Sequence, residues 1–310
     1  MKNLKVGINA AYFHQDKLPA AVKKLVKAGF RKIEFNGAAL RNIGKDDLAA
    51  LCSFMDAEGV SCAAINAVPD LMPVSLGNLI ALQSGERQRA LDHVKQCLEF
   101  AGELCASRMV CDLGTSTEDA IPLSRQNEIF LESLNTILDW ARADGVSIVL
   151  LNVPGRRWIG WDILPPDPAR VVERYVPPWR LWPNEEDLLK DIGGQKGRVL
   201  WGFDTANAVV AHGSTPFTLV SAVTPYFEYG LDVVYLANHP GPYNKVWHRL
   251  LLHQPLYDGC FAASDYAALF DALGVNNFSG ELILQIREKQ PSMVSLRKSI
   301  DFIKKLNDII

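Results

Sequence analysis

The chain has 310 residues, 48% hydrophobic and 22% charged, with a net charge of −3. That suits two average globular domains or one α/β barrel, and it is too near neutral, with no Lys/Arg block, for a nucleic-acid binder. The opening MKNLKVGINAAYF has no apolar region long enough for a signal peptide, and no apolar run is long enough to span a membrane. Six cysteines, at 52, 62, 97, 105, 111 and 260, form no Cys-x-x-Cys, so they read as reduced core residues of a cytoplasmic protein.

Residues 5–9 (KVGIN) read as a first strand. A helix over 18–29 follows, with Val22, Leu25 and Val26 at helical spacing and Gly29 as its stop. The second strand is 32–36 (KIEFN), the next helix 46–58 closes at Gly59, and 60–66 (VSCAAIN) is the third strand. A helix over 86–106 sets Leu91, Val94, Leu98, Ala101 and Cys105 on one face, and 108–112 (RMVCD) is the fourth strand. The helix 124–144, with Phe130, Leu134, Ile137, Leu138 and Ala141 on its inner stripe, ends at Gly145 before the fifth strand, 147–152 (SIVLLN). Asn184 caps a short helix with Glu185, Glu186 and Asp187 in its first turn.

The apolar run 199–203, bounded by Gly197 and Asp204, reads as a sixth strand buried in a parallel sheet. Thr215-Pro216 starts another helix, 232–238 (DVVYLAN) is the seventh strand, and a helix over 264–273 stops at Gly274. The eighth strand is 281–286 (ELILQI), and a last helix from 292 turns Leu296, Ile300, Ile303, Leu306 and Ile310 inward.

Eight strands alternating with eight helices demand a parallel sheet with crossover helices. Eight such units in one chain predict a closed (β/α)8 TIM barrel, a single α/β domain over 1–310 with long strand-to-helix loops. No Gly-x-Gly-x-x-Gly follows the first strand, which argues against a dinucleotide fold. Three strand-to-helix links are long, about 67–85, 153–183 and 239–263, and all would lie at the barrel end that carries active sites. The 153–183 insertion holds four of the seven tryptophans and seven prolines, too apolar for a disordered linker. It reads equally as a lid packed on its own side chains or as a dimer arm or substrate cover, which leaves a homodimer open.

The last polar residues of the strands are Asn9, Asn36, Asn66, Asp112, Asn152, Asp204, Asn238 and Gln285, with Glu34 on the same face as Asn36. This ring is rich in carboxamides, which offer donor and acceptor together and suit the hydroxyls of a sugar or polyol. Asn9, Asn36 and Asn66 taken singly are better explained as strand-ending turn residues. Asp204, with Asn207 three residues on, projects into the site, and His239 from the adjacent strand end would pair with it as base and orienter. Glu34 is a further acid/base candidate. Arg156 and Arg157 read either as a grip for a phosphate or carboxylate or as solvated loop charges. His14 lies near the presumed mouth, whereas His212, His248 and His253 receive no role.

Several stretches resemble the xylose isomerase-like TIM barrel family: ALDHVKQCLEFAGELCASRMVCDLG, GVSIVLLNVPG, GFDTANAVVAHGSTP and FSGELILQI. They look like that family's fourth unit, fifth strand, turn after strand six and final strand, and the likeness runs over most of the chain. The family includes sugar isomerases, sugar and sugar-phosphate epimerases, inositol-catabolic enzymes and family 2 abasic-site endonucleases.

The resemblance implies one divalent metal (Mg, Mn, Zn or Co), held by Glu after strand five, Asp or His after strands six and seven, and Glu on strand eight. The two glutamates would double as the acid/base pair. Those positions fall on Leu151, Asp204, Tyr235-Leu236-Ala237-Asn238 and Gln285, and of these only Asp204 keeps its charge. Asn207 matches a variant of the strand-six turn. A hard cation wants several oxygen ligands, mostly anionic, and neither Leu151 nor Gln285 can accept a proton. Glu281 begins the same strand at the barrel's other end, and Glu288 falls off the odd-even face. The resemblance also sets Tyr257-Asp258-Gly259 at a Gly-rich turn shaping the pocket.

The expectation is therefore a sugar or sugar-phosphate isomerase or epimerase with an altered, metal-independent site and no cofactor. Its catalytic candidates are Asp204, His239 and Glu34. Its substrate-binding candidates are Asn207, Gln285, Asn152, Asn238, Asp112 and Arg157. The alternative is a non-catalytic descendant that binds a carbohydrate or a protein partner. An abasic-site endonuclease would need a zinc cluster and a basic DNA face, and the sequence offers neither.

Overall fold

A computed structural model describes residues 6–67, 79, 81–111, 123–151, 199–212, 217–240, 253–288 and 290–309. The short helix at Asn184 and the 153–183 insertion lie outside the described residues. Eight parallel strands close into a barrel in sequence order: β1 (Val6–Asn9), β2 (Lys32–Asn36), β3 (Ser61–Asn66), β4 (Arg108–Cys111), β5 (Ser147–Leu151), β6 (Val199–Asp204), β7 (Leu231–Leu236) and β8 (Glu281–Leu284). Helices α1 (Leu18–Lys27), α2 (Gly37–Leu40), α3 (Lys45–Ala57), α4 (Ser84–Glu103), α5 (Leu123–Asp144), α6 (Thr205–His212), α7 (Leu219–Glu228), α8 (Ala263–Val275) and α9 (Met293–Ile309) connect them. The (β/α)8 expectation holds. Among the described residues no helix is long and apolar enough to cross a membrane.

The strands are buried on both faces, as a parallel sheet covered by helices requires. Ala63, Ala64, Val110, Val149, Leu151, Val233, Tyr235 and Ile283 form one apolar cluster, while the larger core lies between sheet and helices. Helix ends follow backbone chemistry. Gly145, at φ 67, takes the left-handed position after α5, and Val146 N–H reaches back to Ala141 O at 2.9 Å.

Gly274, expected to stop its helix, lies inside α8. There the left-handed position belongs to Asn277, at φ 53, and Phe278 N–H bonds Leu273 O at 2.9 Å. The helix expected from Thr215-Pro216 begins at Leu219, after a Thr218–Ser221 capping box. The sequence reading also missed α6, whose TANAVVAH lacks an amphipathic stripe, as well as the single turn α2.

The amino end of the barrel is closed by charge. Lys32 Nζ meets both Glu281 oxygens at 2.7 Å, and Arg108 forks onto Asp232 while its Nη1 stands 3.7 Å from Glu281. Trp201 pairs with Leu231 and Gly202 with Val233, so Asp232 is the extra residue at a shift of register. The Arg108 and Asp232 side chains are only 22% and 17% exposed. Arg108→Met should therefore cost about 2 kcal/mol, between an exposed and a buried pair. Denaturant midpoints check this, and a change below about 0.5 kcal/mol would place the pair among inert surface contacts.

Candidate active site

The opposite end gathers the polar residues. Asp204 ends β6 and is fully buried. Its Oδ1 accepts from Ala206 N at 2.8 Å and Asn207 N at 3.0 Å, so the carboxylate caps α6 and cannot turn freely. Thr205 fixes the same corner to β7, donating to Ala237 O at 2.6 Å and accepting from Ala237 N at 3.0 Å. The other oxygen, Oδ2, meets His253 Nε2 at 2.9 Å.

The histidine bonded to Asp204 is thus His253, which the sequence reading left without a role. It returns from the long link after β7, 49 residues from Asp204 in sequence. Its carbonyl accepts from Arg287 N at 2.8 Å, and its neighbour Gln254 bridges Asn238 in both directions at 2.8 and 2.9 Å. No local signal marks it, because only the folding-back of the link brings it to the mouth.

His239 is buried close by. Burial and the neighbouring His253 hold its imidazole down to about 4, against a smaller opposing pull from Asp204. It is neutral at pH 7. Burial, with Arg41 nearby, does the same to His93 on α4. Both groups have folded pKa values near 4, below the ordinary 6.5, so protons bind the unfolded chain first. Their contribution is whole above 6.5 and is lost as pH falls through that value towards 4. Stability should fall by up to about 1.4 kcal/mol per pH unit for each histidine. Urea unfolding at several pH values across that window measures the slope, and a flat profile would show that these rings titrate in the fold as they do in the unfolded chain.

Asn238, expected to bind substrate, is engaged elsewhere. Its Nδ2 donates to Leu256 O at 3.0 Å and Phe261 O at 2.9 Å, and its Oδ1 accepts from His239 N at 2.9 Å and Phe261 N at 3.0 Å. All four capacities of the amide are used to fold 253–261 onto the strand end, which corrects that expectation. Gly259 lies against it. A Cβ there would stand 2.4 Å from Asn238 Cγ and 2.7 Å from His239 O, so the Gly turn shapes this loop by close approach.

Glu34, expected to be catalytic, is fully buried and holds three neighbours. Oε1 accepts from Asn9 Nδ2 and, at 3.1 Å, from Asn66 Nδ2, while Oε2 accepts from Tyr235 OH across the barrel. Glu34 therefore ties together β1, β2, β3 and β7. Burial, then the Glu34 charge, pushes the Tyr235 phenol well above its usual range. Asn9 and Asn36 also cap the turns that follow them, accepting from Ala11 N and Ala38 N at 2.8 Å, in keeping with the turn reading.

Gln285 follows the last residue of β8, and its N–H bonds Leu236 O at 3.0 Å. Its Oε1 is buried and has no hydrogen-bond partner among the described residues. Asn207 sits on the first turn of α6, 6% exposed. Asn152, Asp112, Arg156 and Arg157 lie outside the described residues.

Residues 22–306 match the model of the xylose isomerase-like TIM barrel. The chain belongs to that family. A D-tagatose 3-epimerase-like protein superposes on it with a TM-score of 0.72 at 16% identity, over 99% of this chain and 98% of that one. A 3-keto-D-glucoside 4-epimerase from E. coli gives 0.66 at 14%, over 98% and 100%. D-Psicose 3-epimerase from Clostridium cellulolyticum H10, solved with D-tagatose, gives 0.67 at 15%, over 98% and 99%. At such identities these are likenesses of fold. No curated protein matches the sequence.

The family's implied metal does not fit the donors described. Leu151 is packed in the barrel cluster, with its Cδ1 3.2 Å from where a Cβ on Gly202 would stand. Asp204 has both oxygens engaged, and Gln285 is neutral. Among the described residues no group of three or more His, Cys, Asp or Glu could hold a metal ion. A hard cation is poorly served by one carboxylate.

Proposed function

We propose that this protein moves a proton beside the carbonyl of a small polyhydroxylated carbohydrate, as an isomerase or epimerase, through a site that departs from the family's metal-and-glutamate pair. The observation that carries the reading is the Asp204 carboxylate, fully buried at the carboxyl end of a barrel strand and bonded to an imidazole. Ligands gather at that end of such barrels. Gln285 Oε1, buried without a described partner, offers an acceptor to a sugar hydroxyl, and the neutral His239 adds no positive charge. The sugar epimerases with the same fold support the substrate class. Asn207 is a proposed substrate contact, and Asp112, Asn152 and Arg157 extend the set from links outside the described residues.

Proton NMR in heavy water on a panel of ketoses and ketose phosphates tests this. Wash-in of deuterium next to the carbonyl of at least one member is expected. Sugar binding by calorimetry with no wash-in would instead favour the non-catalytic descendant, for which the uncharged Leu151 and Gln285 speak. Stoichiometric Mn, Mg, Zn or Co in protein purified without chelator would overturn the metal-independent part.

A further inference from the structure

We propose that the protein binds a small phosphate monoester in an open groove on its outer surface, between Arg41 and α4. The groove holds about 390 Å³, within the usual range for a small-molecule site, and none of its lining residues belongs to the candidate active site. The inference does not rest on the carbohydrate reading.

A close approach builds the groove. Gly37 opens α2 against α4, where a Cβ would stand 2.3 Å from Cys97 Sγ and 3.4 Å from His93 Cε1. Without a side chain the two helices can meet this closely. Arg41, whose backbone N–H closes the turn onto Gly37 O at 3.1 Å, is thereby carried to the groove beside α4. On α4, Arg89, His93, Gln96 and Glu99 follow at steps of four and three residues and form the facing stripe. His93 is buried at its floor.

The charges in this groove are not balanced. Arg41 and Arg89 are exposed, and among the described residues neither guanidinium forms an ion pair or a hydrogen bond. Asp92, also in the lining, accepts from Gln88 Nε2 at 2.8 Å instead. Glu99 lies about 15 Å beyond Arg89 along the helix, more than a Debye length at physiological salt. The Arg41 charge is felt beneath it. It adds to burial in holding the His93 imidazole down to about 4, and it draws the Cys97 thiol downward against burial. A single carboxylate would answer one guanidinium. A phosphate monoester, with a charge of about −1.5 to −2 at pH 7 and three acceptor oxygens, answers both. Gln96 leaves an amide for the rest of the ligand.

The test titrates the unmodified full chain with glycerol 3-phosphate by calorimetry and follows its backbone amides by NMR. Saturable shifts at Arg41, Arg89 and Gln96 are expected, with binding that weakens as salt is raised. Arg41→Gln and Arg89→Gln should each lower the affinity by about tenfold, since each removes a charge-assisted contact and touches no core residue. Lys304→Gln, on α9 outside the groove, should change it by less than about twofold. No saturable shift in the groove below about 10 mM ligand, shifts confined to the barrel mouth, or equal losses in all three variants would overturn the proposal. Succinate bound as tightly as glycerol 3-phosphate would overturn the phosphate assignment. No ketose enters this titration, so absent deuterium wash-in counts against the carbohydrate reading alone.

Discussion

Asp204→Asn is expected to lower deuterium wash-in by about 10²–10⁴-fold, the usual worth of general acid–base catalysis, with little change in stability. The two halves of that expectation come from the two oxygens. Oδ1 caps α6 by accepting from Ala206 and Asn207, and asparagine keeps an oxygen there. As caps the two residues are nearly equal. At the second position an N–H2 replaces Oδ2 and points its hydrogens at Nε2 of His253. Two donors cannot share the 2.9 Å gap, so the imidazole must give up its hydrogen at Nε2 or break the contact, and the paired acid and ring are lost as a unit. The variant should therefore unfold at nearly the parent's urea concentration yet exchange almost no substrate hydrogen. Wash-in within about threefold of the parent would remove Asp204 from the chemistry.

That pairing marks the boundary of what could be read from the chain. The strands were legible because each is a short apolar run ending in a polar residue, and Asp204 was legible as the acid at one such end. Glu34 was found from parity with Asn36, which correctly turned it into the barrel. Its three donors were not foreseeable, since Asn9, Asn66 and Tyr235 sit 25, 32 and 201 residues away.

His239 looked like Asp204's partner because it directly follows the neighbouring strand. The structure gives that bond to His253, because 253–261 doubles back and uses Asn238 as its anchor. A histidine at the far end of a long link has no periodicity to betray it. The one hint was Gly259 in the Tyr257-Asp258-Gly259 turn, where only a glycine can lie against Asn238. Helix α6 was missed for the opposite reason. Ala206, Asn207, Ala208 and Val209 are all buried, so the segment has no polar face to set a helical period, although Asp204 was already a good cap.

Glu34→Ala is expected to be the most destabilising single change at this end of the barrel. It would strand the amides of Asn9 and Asn66 and the phenol of Tyr235 in a region closed to solvent. A buried group that loses its partner costs about 1–3 kcal/mol. Three of them amount to roughly 5 kcal/mol, comparable with the whole stability of many domains. Glu34→Gln should cost far less, about 1 kcal/mol. Its oxygen can serve Asn9 and Asn66, and the Tyr235 hydroxyl can turn to accept from the new amide, since a hydroxyl gives or takes a hydrogen bond equally well.

Denaturant midpoints of the two variants measure this contrast, and equal losses would mean that the charge of Glu34, not its geometry, holds the strand ends. The same pair separates positioning from chemistry. If Glu34 only aligns β1, β2, β3 and β7, the glutamine variant keeps wash-in within about tenfold of the parent. A fall as deep as that of Asp204→Asn would restore Glu34 as a proton-transfer group and make Tyr235, hydrogen-bonded to it and paired in register with Asp204, the path between the two acids.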